Sequence, residues 1–186
     1  MRLLELSGVS RAALAAVFVC VAGAVPAQPA GTFGRAASAE EVAAWNIDVK
    51  PDGAGLPRGR GTVAEGQTIY ANSCAACHGA TGVEGPKDRL VGGQGSLNTD
   101  KPIKTIGSYW PYATTVFDYI RRAMPYHAPG SMAPDEVYSV VAWLLFRNGI
   151  VAGNATVDQQ SILKVQMPNR DGFLPQLNLI TGEPRR

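Results

Sequence analysis

The chain has 186 residues, is 46% hydrophobic and 17% charged, and carries a formal net charge of +2. That length suits one domain with extensions, and the composition belongs to a globular protein rather than to a disordered chain or a polyanion binder. A nucleic-acid partner is therefore not implied.

At the start of the chain, Arg2 and Arg11 precede an uncharged run from Ala12 to Val25, which is followed by Pro26 and Ala27. A basic start, an apolar stretch and a small residue at a cleavage point read as a secretory signal peptide over residues 1–27. The run is short for a membrane span of about 20 residues, so no membrane attachment is expected once the signal is removed. Cys20 would leave with it, so that Cys74 and Cys77 are the cysteines of the mature chain. Residues 28–61 are rich in Ala, Gly and Pro and offer no periodic apolar face, which predicts an extended N-terminal arm with Trp45 and Ile47 as candidate anchors on a partner.

Thr62 and Glu65 form a threonine-x-x-glutamate capping box, and a helix is predicted from there through Gly66, Ile69 and Tyr70 into the cysteine motif. Residues 79–107 follow, with Gly92, Gly93, Gln94 and Gly95. They lack the lysine and the strand-to-helix setting of a phosphate-binding loop and read as irregular backbone against a flat ligand. The spacing of Val116, Tyr119, Ile120 and Ala123 predicts a second helix from about Pro111 to Ala123, ended by Pro125. A third begins near Pro134, with Asp135 and Glu136 in its first turn and a stripe of Val137, Val140, Val141, Leu144 and Leu145, and stops before Gly149. Residues 151–186 read as an extended C-terminal tail. No strand or internal repeat is expected, and the fold class is all-α, with the core domain over 62–150.

Cys74, Ala75, Ala76, Cys77 and His78 spell CxxCH. Residues three apart share a helical face, so two thiols can add to the two vinyl groups on one haem edge while the next residue turns an imidazole to the iron. One covalently attached haem c is thus expected, bound through Cys74 and Cys77 and ligated by His78. A thioredoxin-like pair would need a strand-helix-strand setting, structural zinc would need four ligands, and a simple disulfide would leave His78 without a role. For the sixth ligand the mature chain offers Met124, Met132, Met167 and His127. Met124 is favoured, because it and Pro125 end the second helix before a loop that can close over the haem. A thioether there would raise the potential, whereas His127 would lower it. The alternative fate for any of the methionines is to fill core space.

Gly66 and Tyr70 before CAACH, the Met-Pro loop and a last helix bearing Trp143 resemble a class I cytochrome c over about residues 62–150. Three further stretches are similar to the cytochrome subunits of bacterial sulfite dehydrogenase and sulfur dehydrogenase: Trp45 to Gly55, Thr105 to Thr114, and Met167 to Gly172. The resemblance implies three main helices around one haem, ligands at Cys74, Cys77, His78 and Met124, and Tyr109, Trp110 and Arg121 around the haem or its propionates or in packing. It also implies a periplasmic location, a molybdenum-cofactor dehydrogenase subunit as electron donor, and a downstream cytochrome or oxidase as acceptor. The chain departs from the pattern in having no second CxxCH and in placing Met132 where an aliphatic residue is expected. The expected function is single-electron transfer without bond chemistry of its own. The alternatives are a free soluble shuttle and a haem enzyme or sensor with an open sixth site.

Overall fold

The computed structural model describes residues 34–173, so the expected signal peptide over 1–27, Cys20 and the end of the tail lie outside the described residues. The chain divides into two units, 1–42 and 43–186. In the first, the Arg35 guanidinium pairs with the Glu41 carboxylate, which also accepts from the Ser38 N–H at 2.8 Å. A short helix, α1, runs over Ala39–Trp45, a segment expected to be irregular; none of its residues is buried.

In the second unit the helices fall where the periodicity puts them. The strand β1 (Arg60–Thr62) leads into α2 (Val63–Ser73), then the single turn α3 (Ala75–His78), α4 (Ala113–Ala123) and α5 (Pro134–Arg147). Thr62 caps α2 as anticipated: its hydroxyl accepts from the Glu65 N–H at 3.2 Å, and the Glu65 carboxylate accepts from the Thr62 N–H at 2.9 Å. The stripe predicted on α5 is in fact a continuous buried run from Val137 to Leu145, because α2, α4 and the strands pack around it.

The backbones of α2 and α5 come close together at Gly66. A methyl group on Gly66 would lie 1.9 Å from the Ser139 carbonyl oxygen, so only glycine lets the two backbones meet here. One turn on, Tyr70 stacks on Trp143 with ring centroids 3.9 Å apart. Asn148, buried just past α5, pins the glycine-rich segment: its side chain accepts from the Gly92 N–H at 3.0 Å and donates to the Leu90 carbonyl at 3.2 Å.

The expectation of no strands is corrected. After α5, β2 (Thr156–Asp158) pairs antiparallel with β1, with Gly61 opposite Val157. Each strand has three residues, too few to show an alternating pattern, and their pairing joins segments far apart in sequence. A 3₁₀ turn follows at Ile162–Lys164, and Val157, Ile162 and Met167 are buried in the core. Among the described residues, no helix is long and apolar enough to cross a membrane.

The N-terminal segment is tied down through Asp118 of α4, whose carboxylate accepts from the buried Val49 N–H at 2.7 Å and pairs with Arg122. Burial alone would favour the neutral acid, but the Arg122 guanidinium and the Val49 N–H outweigh it and hold the carboxyl below its ordinary range. A carboxyl depressed on folding stabilises above its unfolded pKa, and that contribution disappears as pH falls through the folded value. In denaturant titrations, Asp118→Asn is therefore expected to cost about 1 kcal/mol at neutral pH. The difference from the parent should shrink on acidification; a gap independent of pH would contradict this role.

Candidate functional site

The site is built where α2 ends. Cys74 leaves the helical conformation at φ −124° and ψ −35° while its N–H still reaches the Tyr70 carbonyl, so it closes α2 and opens α3. The Cys77 and His78 N–H groups both donate to the Cys74 carbonyl, at 3.1 and 3.0 Å, which places the cysteines and the histidine on one turn. Both thiols are free; Cys74 is half-buried and Cys77 exposed. Burial, reinforced by the neighbouring Cys77, pushes the Cys74 thiol up to about 11. That is opposite to the lowered pKa of a disulfide-exchange pair.

His78 is oriented by the following loop. Its Nδ1 lies 2.7 Å from the Asp88 carbonyl oxygen. A carbonyl only accepts, so Nδ1 carries the proton and Nε2 is left with the lone pair needed to bind a metal. The loop is held against this turn by the Lys87 N–H, which donates to the Cys77 carbonyl at 2.9 Å, and by Gly85, where a methyl group would meet that same oxygen at 2.2 Å. The Tyr70 hydroxyl donates to the Gly79 carbonyl at 3.0 Å, and burial raises its pKa.

Met124 is the first residue beyond α4. It is extended, and its N–H donates to the Ile120 carbonyl at 3.0 Å. Met124 is half-buried and packs against the core, as do Cys74, Ala75, Leu90, Trp110 and Met132. The other sixth-ligand candidates divide: Met132 is half-buried against the core, His127 is exposed, and Met167 is 3% exposed within the core. Trp110 meets Tyr119 edge-on at 5.5 Å, and Tyr109 meets Phe173 at 5.1 Å. Arg121, a candidate for haem propionates, donates to the Ile47 carbonyl at 3.0 Å. Sequence reasoning missed the Asp88 carbonyl and the Asn148 pin, because a backbone acceptor and a lone amide carry no motif.

Two free thiols on one turn, an imidazole with its Nδ1 committed, and half-buried thioethers at Met124 and Met132 form a donor set that fits haem c. It does not fit structural zinc: among the described residues, no group of three or more His, Cys, Asp and Glu side chains comes together.

A family model described as cytochrome c oxidase, cbb3-type, subunit III, matches residues 61–144. No curated protein matches the chain. Among solved structures, the chain is similar to a chain of the sulfane dehydrogenase SoxCD from Paracoccus pantotrophus. The identity is 40% and the TM-score 0.73, with 83% of this chain and 80% of that chain covered.

Proposed function

Because this chain belongs to the c-type cytochromes and binds haem c covalently, we propose that it is the electron-accepting subunit of a periplasmic molybdenum sulfite or sulfur dehydrogenase. Electron transfer is the general role; the specific donor is the proposal. The observation that carries it is the likeness to a dehydrogenase chain over 83% of this chain, well beyond residues 61–144. A cytochrome domain alone would account only for the shorter match.

In this reading Cys74 and Cys77 would hold the haem through thioethers, and His78 Nε2 would bind its iron. When bound, the haem supplies the one-electron change. The Asp88 carbonyl keeps Nδ1 protonated and fixes the imidazole plane. Met124 would hold the iron from the other side, and a thioether there would favour the ferrous state.

The test is purification of the mature protein from its native periplasm, with assay of the co-purifying fraction for molybdenum and for reduction of the cytochrome by sulfite or by a sulfane-sulfur donor. The expected result is a molybdenum-containing partner and reduction by one of these donors. A chain that elutes alone and that neither donor reduces in the extract would overturn the subunit assignment and leave the electron-transfer role standing.

A further inference from the structure

Residues 47–51 run along α4 with their backbone groups captured by alternating contacts. The Arg121 guanidinium donates to the Ile47 carbonyl at 3.0 Å, Asp118 accepts from the Val49 N–H at 2.7 Å, and the Thr114 hydroxyl donates to the Pro51 carbonyl at 3.2 Å. Thr114, Asp118 and Arg121 follow one stripe of the helix at i, i+4 and i+7, and they meet every second residue of a segment running the other way. Arg122 grips Asp118 from the next position, with Nε 2.9 Å from Oδ1.

We propose that this strap makes Asp118 and Arg121 positioning residues for the Met124 thioether. The inference rests on the reading of Met124 as the axial ligand. The physical reason lies in where Met124 sits. Helix ends fray because their last carbonyls lack intrahelical partners. Met124 is the residue immediately after α4, and a single α4 hydrogen bond, from its N–H to the Ile120 carbonyl, fixes its backbone. Arg121 is one turn before it and is held to a segment 74 residues earlier in the chain. Asp118, 8% exposed, adds a charge-assisted bond to that same segment. Arg121 holds the last turn of α4 and Asp118 the turn before it, so opening the helix end requires releasing the strap. The strap therefore limits how often the thioether withdraws from the iron.

The test uses ferric holoprotein and the rate at which added imidazole replaces the methionine, a step that requires the thioether to leave. Arg121→Ala and Asp118→Ala are each expected to speed this replacement about tenfold, the effect of losing one hydrogen bond to a charged group. Both should also weaken the methionine-to-iron charge-transfer band, lower the potential, and accelerate amide exchange at Met124 in the reduced protein. Asp118→Asn, whose amide oxygen still accepts from the Val49 N–H but which loses the ion pair with Arg122, should exchange its methionine for imidazole more slowly than Asp118→Ala and faster than the parent. Rates within about twofold of the parent in both alanine variants, with helicity retained, would overturn the proposal. Met124→Ala separates the two readings. If it keeps the charge-transfer band, the ligand assignment fails; if it loses the band while the strap variants behave as the parent, the strap inference alone fails.

Discussion

Serine at Cys74 or at Cys77 is expected to leave a holoprotein held by one thioether, and serine at both to leave a chain with no covalently bound pigment after maturation in a competent periplasm. A hydroxyl cannot take the place of the thiol in the thioether bond, and Cys74 and Cys77 are the free cysteines among the described residues. The check is haem staining of denatured protein. The singles should retain stain, with a red-shifted absorbance from the unreacted vinyl group, and the double should show none. Stain retained by the double variant would place the attachment elsewhere. The loss should reach the fold as well, because a large apolar group would be missing from a domain with few helices.

Gly66→Ala is expected to have the second-largest effect. On an isolated helix the change would help by about 1 kcal/mol. Here the new methyl group would stand 1.9 Å from the Ser139 carbonyl oxygen and 2.8 Å from Trp143 Cβ, neither of which can move without shifting α5. Separating the helices also pulls Tyr70 from Trp143, at a cost of about 1 kcal/mol beyond lost burial. Overpacking and loss of the stack together outweigh the propensity gain, for a net destabilisation of about 3 kcal/mol and a fall in Tm of roughly 10 °C. Thermal unfolding of the holoprotein, with the exposed α2 residue Gln67→Ala as control, measures this. A Gly66→Ala protein as stable as the parent would mean that α2 and α5 are not in backbone contact at this position.

What could be read in advance follows from how locally each feature is encoded. The capping box at Thr62 and Glu65, the start of α5 at Pro134 and the CxxCH turn each lie within a few residues, and each stands where expected. The second helix begins at Ala113 rather than Pro111, a shift within the ordinary uncertainty of helix ends. The features that could not be read are non-local. Nothing in Arg60–Thr62 announces a partner at Thr156–Asp158, and nothing in a Gly- and Pro-rich leader shows that Val49 will bury its side chain and give its N–H to Asp118.

The candidate site divides in the same way. The three residues of the CxxCH turn are legible because the chemistry demands their spacing. The carbonyl that orients His78 comes from a loop whose sequence prescribes only irregularity. Met167, also followed by proline, is buried within the core, a placement that suits packing and that its sequence neighbourhood does not announce. Arg121 resembles a propionate partner by position, yet its guanidinium bonds the leader's backbone, a contact that depends on a segment far away in the chain.

The claim on which all else depends is that a haem is bonded to this polypeptide through sulfur. The intact mass of the mature protein, recorded under denaturing conditions after periplasmic maturation, tests it most directly. The account predicts the polypeptide mass plus that of one haem, with the pigment retained through acidified acetone. A bare polypeptide mass, with the pigment free in the solvent, would contradict it.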